Sequence, residues 1–205
     1  ILVIPPTSRQ YWIPVSDMRH DFDANLSWDT VGARGGAFAL CPPGWQGVLP
    51  EGVKRIDMST PLIWMLPRFA VNGAADLPAA VELQKQVRLV PLSQWGAANV
   101  ARPRPDPADF PRFTRAELTD AKAYFTTHNT LLRLSPRLGN PMDEAMAGWL
   151  REIGMGPATG FDWDKLSLQA RRGLERATAD AHRIIAERMP RAVPIVNNWQ
   201  IARLD

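Results

Sequence analysis

The sequence predicts an α+β protein, a jelly-roll-like antiparallel β-sandwich or barrel followed by a helical accessory layer. Three observations carry this expectation. Through residues 1–71, short apolar or alternating runs are separated by proline and glycine, the pattern of small strands joined by tight corners. Beyond residue 111, apolar side chains recur at three- and four-residue spacing, the pattern of amphipathic helices. Nineteen prolines among 205 residues keep every element short, because each fixes φ and removes a backbone donor.

The strands are expected at 1–4, 10–17, 37–41, 53–57 and 62–71. Their corners fall at Pro5 and Pro6, at Gly32 with Gly35 and Gly36, at Pro42, Pro43 and Gly44, and at Pro50 and Gly52. Asp76 can cap a short helix over 77–88 with Pro78 in its first turn. These residues form a β-rich domain over 1–100. Four prolines mark 101–111 as a semi-rigid linker.

A helical accessory region is expected over 112–190. Thr114 and Glu117 have capping-box spacing and open a helix that Pro136 ends. Pro141 suits a first helical position, and its helix should turn Met142, Ala145, Met146, Trp149, Leu150 and Ile153 inward and stop at Gly154. The longest helix runs over 167–188, and Pro190 closes it. Residues 193–201 read as extended and apolar, so 191–205 are expected to begin a second β domain. No repeat period is visible, which excludes a solenoid.

Charge and motif content exclude several function classes. A net charge of +3, from 24 basic and 21 acidic residues, is mild and lacks the dense basic stripe of a nucleic-acid binder. Cys41 is alone, so neither an intramolecular disulfide nor a cysteine-rich zinc site can form. No apolar run approaches the ~20 residues that span a bilayer as a helix. His20, His128 and His182 fall in no metal-binding spacing, and no serine sits in a G-x-S-x-G setting. Gly32, Gly35 and Gly36 do not make a phosphate loop, so neither a metal nor a cofactor is expected.

The densest polar stretch runs from Asp17 to Asp23. If extended, it places Asp17, Arg19, Asp21 and Asp23 on one face, where close carboxylates could form an acid/base pair or supply oxygen ligands. A solvated strand end, with Arg19 neutralising its neighbours, is the weightier reading. Trp12, Trp28, Trp45 and Trp64 fall in the β portion. Core packing is favoured for these rings over stacking on a sugar or acyl chain, and Trp28 and Trp45, near expected loops, are the two candidate ligand contacts.

Tyr11-Trp12-Ile13-Pro14-Val15-Ser16-Asp17, then Pro43-Gly44-Trp45 with Gly47, then Arg68, Asn72-Gly73 and Asp76-Leu77 together resemble the bacterial family of unknown function numbered 1254. The helical part, closing on Val196-Asn197-Asn198-Trp199, is similar to the segment that joins this family to its companion numbered 1214. The resemblance implies a jelly-roll-type β domain with a helical layer, and a periplasmic or envelope-associated place in a bacterium.

The apolar start, Ile1 to Ile4, and the extended Trp199 region are expected to pair with a second polypeptide or with flanking segments of a longer chain. The leading expectation is therefore a binding or assembly element. The rival is a hydrolase-like enzyme with Asp17, Asp21, Asp23 and Arg34 around the open end of the β domain. A binding element leaves those carboxylates hydrated, and an enzyme encloses them.

Overall fold

Three strands pair with Tyr11–Ser16 (β2), and the alternation of its side chains explains its central place. Tyr11, Ile13 and Val15 are completely buried on one face, and on the other Trp12 is partly exposed while Pro14 and Ser16 are buried. The structure, a computed structural model, describes residues 1–98, 100, 114–134, 141–192 and 195–200. The chain divides into two units, one comprising Ile1–Pro105 with Leu134–Gly139 and the other Asp106–Arg133 with Asn140–Asp205. The expected linker over 101–111 lies outside the described residues.

In the first unit, β2 pairs antiparallel with Phe22–Ser27 (β3) on one side. On its other side it pairs with Trp64–Met65 (β6) and Arg68–Phe69 (β7). The single strand expected over 62–71 is thus two. Pro67 interrupts it, and Pro14 of β2 falls between the positions that pair with β6 and β7. Neither proline can donate to a ladder, so pairing lapses between them.

A second sheet has the order β5, β4, β1, β8, formed by Val53–Asp57, Gly36–Cys41, Leu2–Ile4 and Arg88–Leu89. Two expectations are corrected here. The β4–β5 pair is parallel, so the architecture is a mixed α+β arrangement with open edges among the described residues, not an all-antiparallel sandwich or a closed barrel. The first strand does not wait for a second polypeptide. Its edges are taken by β4 and β8 of the same chain, and Ile1 and Val90 exchange backbone hydrogen bonds beyond them.

The two sheets share one core. Leu2, Ile4 and Phe38 from one sheet meet Tyr11, Ile13, Val15 and Leu26 from the other. Complete burial of each large apolar side chain contributes about 1.5–3 kcal/mol. At the corner before β4, Gly35 has φ +65° and a Cβ there would lie 2.2 Å from the Ile4 carbonyl oxygen, so only glycine fits. Leu77–Gln86 (α2) follows β7 and buries Ala80 and Leu83. Asp76, expected to cap that helix, makes no capping bond, because its carboxylate is committed elsewhere.

Two elements were not expected. Phe22, Ala24 and Leu26 alternate with Asp23, Asn25 and Ser27, a period-two signal that the charged run before it obscures. The second is the one-turn helix Trp28–Val31 (α1), held by a reciprocal capping box between Ser27 and Thr30.

The second unit is helical. Thr114 and Glu117 form their reciprocal bonds, but turns follow, and the helix Ala121–Leu134 (α3) begins only after Asp120 accepts from the Ala123 N–H. Asn129, 4 % exposed on α3, accepts from the Gly156 N–H and donates to the Thr159 carbonyl. That pair of bonds pins the turn after Pro141–Glu152 (α4), where Met155 is completely buried.

The face expected to point inward on α4 is corrected accordingly. Met142, Ala145, Met146 and Trp149 are exposed, while Leu150 and Ile153 are half-buried as expected, together with Asp143, Ala147 and Gly148. The last helix, Leu168–Ala192 (α5), continues two residues past Pro190 instead of stopping before it. Within the segment expected to be extended, the described residues 195–200 are a hairpin, Ile195–Val196 (β9) with Trp199–Gln200 (β10), turned by Asn197 and Asn198 at φ 52° and 65°. No helix among the described residues is long and apolar enough to cross a membrane.

Candidate functional site

The acidic stretch is a hairpin turn between β2 and β3, not an extended strand with its charges on one face. Asp17 is 2 % exposed, and one of its carboxylate oxygens accepts from the backbone N–H groups of Arg19 at 2.7 Å and Asp21 at 3.0 Å. The Arg19 guanidinium stands 3.6 Å from the other oxygen. His20, at φ 69°, makes the reversal, and its ring lies 5.3 Å from that of Trp64. Asp21 is exposed. Asp23 accepts from both the backbone N–H and the hydroxyl of Ser59, which ties β3 to the segment after β5.

The other sequence candidates lie apart from this turn. Arg34 is exposed in the corner after α1. The register that sets Trp12 against Ser27 puts that corner near the start of β2, whereas Asp17 and Asp21 follow its end, so Arg34 and the carboxylates do not converge. Trp28 packs against the core, with its indole N–H buried and without a hydrogen-bond partner. Trp45 lies under the Arg55 guanidinium, 5.3 Å from its ring centre, and its carbonyl accepts from the same arginine. Among the described residues no group of three or more His, Cys, Asp or Glu gathers as a metal site would require.

What the sequence did not single out is a polar cleft of about 530 Å³ where the segment before β2 faces the start of α2. Its charged centre is a two-point ion pair. Arg9 reaches both carboxylate oxygens of Asp76 at 2.6 Å and also donates to the Ala70 carbonyl. Asp76 additionally accepts from the Asn72 N–H at 2.8 Å. The Arg9 guanidinium, with that backbone N–H, holds the Asp76 carboxyl far below the usual carboxylate range, and the same contact raises Arg9. The pair is internally neutral.

Around it stand the side chains of Ser8, Gln10 and Asn72, none of which forms a hydrogen bond within the described protein. Thr7 accepts from the Arg9 N–H. The cleft therefore presents hydroxyl and amide groups around a charge already cancelled, an arrangement suited to hydrogen bonding and poorly suited to capturing a free ion. An Arg and an Asp separated by six strands and a short helix give no local spacing signal.

The cleft and both sheets fall inside one region of likeness. Residues 1–91 match the model of the family Protein of unknown function (DUF1254). The DUF1254 match runs from β1 through β8 and includes every residue that lines the cleft. A solved structure, the VPA0106 protein from Vibrio parahaemolyticus, is similar over 95 % of this chain with a TM-score of 0.62 and 21 % identity. That likeness is one of fold. The alignment takes in 46 % of the Vibrio protein, so the chain spans about half its length. No curated protein matches the chain.

Proposed function

We propose that the chain is a binding element whose DUF1254-matching unit holds a small, uncharged, hydrogen-bonding ligand in the cleft at Arg9 and Asp76. The observation that carries this reading is the contrast between spent and unspent groups. Arg9 and Asp76 satisfy each other, while Ser8, Gln10 and Asn72 keep their side-chain donors and acceptors free among the described residues. The candidate catalytic carboxylates are differently disposed. Asp17 serves the backbone of a turn and Asp23 serves Ser59, which leaves Asp21 without the enclosed partner that acid/base chemistry needs.

Binding of uncharged polyols and monosaccharides, followed by amide NMR shifts, tests the reading. Gln10→Leu and Asn72→Val are expected to weaken binding by about tenfold or more, and Asp21→Asn to leave it unchanged. Ligand turnover that disappears in Asp21→Asn and persists in Asn72→Val overturns the proposal in favour of the hydrolase-like alternative. The assembly half of the reading rests on the β9–β10 hairpin, where Ile195 and Trp199 are exposed and open to a partner or a flanking segment. The family resemblance supports a bacterial envelope location, which fractionation of the native host tests.

A further inference from the structure

Asn72 and Gly73 form the only Asn-Gly pair in the sequence, at the point where the chain passes from β7 to α2, and Asn72 lines the cleft. An asparagine followed by glycine is open to attack by its own main chain, because the next residue has no side chain to shield its nitrogen. Folding suppresses that reaction where it bonds the carboxamide or the nitrogen and makes local opening a precondition.

Here the two reacting groups are left out of the local bonding. Asp76 holds the pair from either side, accepting from the Asn72 N–H at 2.8 Å and donating its own N–H to the Gly73 carbonyl at 3.2 Å. Between those anchors, neither the Asn72 carboxamide nor the Gly73 N–H makes a hydrogen bond among the described residues. Both residues are exposed. Gly73 has φ +78°, and no other part of the chain comes within 4 Å of where a Cβ would sit, so the space a new ring needs is open. Asn129 is the opposite case, buried, followed by a threonine and bonded through both ends of its amide.

We infer that Asn72-Gly73 is a self-modification site that changes the charge of the cleft. The Gly73 nitrogen gives its proton to water and attacks Cγ of Asn72. A C–N bond forms, the Cγ–Nδ2 bond breaks, and the amide nitrogen takes up a proton and leaves as ammonia. Water then opens the cyclic imide. Attack at Cγ restores the ordinary main chain and yields an aspartate, whereas attack at the backbone carbonyl carbon of residue 72 yields an isoaspartate, with one extra methylene in the main chain. No oxidant or reductant takes part, and either product places a carboxylate at position 72.

The consequence for binding rests on the proposal that the cleft holds an uncharged ligand. Arg9 is already committed to Asp76 by two hydrogen bonds and to the Ala70 carbonyl by a third, so the new carboxylate adds a net negative charge to a floor that was neutral. The converted cleft selects an ammonium-bearing ligand over its uncharged counterpart.

The test is a time course of the whole folded chain at pH 8, read by peptide mapping and mass spectrometry beside the same chain unfolded in urea. Asn72 is expected to convert before every other asparagine and at a rate within about tenfold of the unfolded chain's, since no local opening has to come first. Greater protection than that, or earlier conversion of another asparagine, overturns the inference. The charge effect is read by calorimetric titration of the unconverted chain and of Asn72→Asp with glucose and with cationic glucosamine. The variant is expected to bind the amine about tenfold or more tightly than glucose, and the unconverted chain to show no such preference. Equal affinities in the variant overturn the change of selectivity. Rapid conversion at Asn72 with no glucose binding to the unconverted chain overturns the cleft reading and leaves the modification site standing.

Discussion

Arg9 and Asp76, 67 residues apart, meet through two parallel hydrogen bonds of 2.6 Å and so fix the segment before β2 against the start of α2. The pair is partly screened, with side chains 18 % and 24 % exposed, yet its bidentate geometry makes it stronger than an ordinary surface contact. Its role is to shape the cleft floor as a neutral surface.

The pair makes stability depend on acid. Asp76 has a folded-state pKa below its ordinary value of 3.8, so its stabilising contribution is present above that value and is lost as pH falls below it. Asp76→Asn should lower stability at pH 7 and flatten the loss between pH 4 and pH 2. Urea unfolding at several pH values measures this, and an unchanged acid slope in the variant removes Asp76 as its cause.

Asp17 is expected to matter for folding and not for chemistry. Asp17→Ala leaves the N–H groups of Arg19 and Asp21 without their acceptor and should cost about 1–3 kcal/mol. Asp17→Asn, which retains a carbonyl oxygen, should recover part of that. Denaturant midpoints at equal m-values give the comparison, and equal losses in the two variants contradict the turn-bonding role.

Ser16 carries a buried hydroxyl with no hydrogen-bond partner, in a residue 1 % exposed. An orphaned buried polar group costs free energy without return, so Ser16→Ala should be neutral or stabilising by up to about 1 kcal/mol. A thermal transition lowered by several degrees would show that the hydroxyl has a partner in solution.

His128, half-buried on α3 and edge-on to Tyr124, has its pKa lowered by burial from an ordinary 6.5. The unfolded chain therefore binds a proton more readily at this site than the folded one. The resulting penalty is absent above pH 7, grows as pH falls through 6.5, and levels off below the folded value. His128→Gln should remove this slope from the unfolding of the helical unit, and a slope that persists assigns it to other groups.

Several features were legible from residues alone because they depend on local backbone chemistry. The start of α2 at Leu77, the opening of α4 at Pro141 and the left-handed Gly154 after it follow from proline and glycine geometry. The strand at Tyr11–Ser16 follows from its alternation. The Met142, Met146 and Trp149 stripe misled, because period alone says that a helix has an apolar face and not which way a distant turn rotates it. Here the Asn129 bonds to Gly156 and Thr159 contribute that constraint. The Asp17–Asp23 stretch misled for a related reason: its charges look like a site when drawn as a strand, and His20 in a left-handed conformation disperses them.

By itself the sequence determined where β1, β2, β4, β5, α2 and α4 lie, because alternation, proline and glycine act within a few residues. It also determined the family likeness of its first 91 residues. Only the tertiary structure decided that β5 runs parallel to β4, that β1 has both edges filled by its own chain, and that Arg9 meets Asp76. Each of these is a pairing between residues far apart in the chain. Its free energy depends on which surfaces the closed chain brings together, and no local spacing encodes that choice.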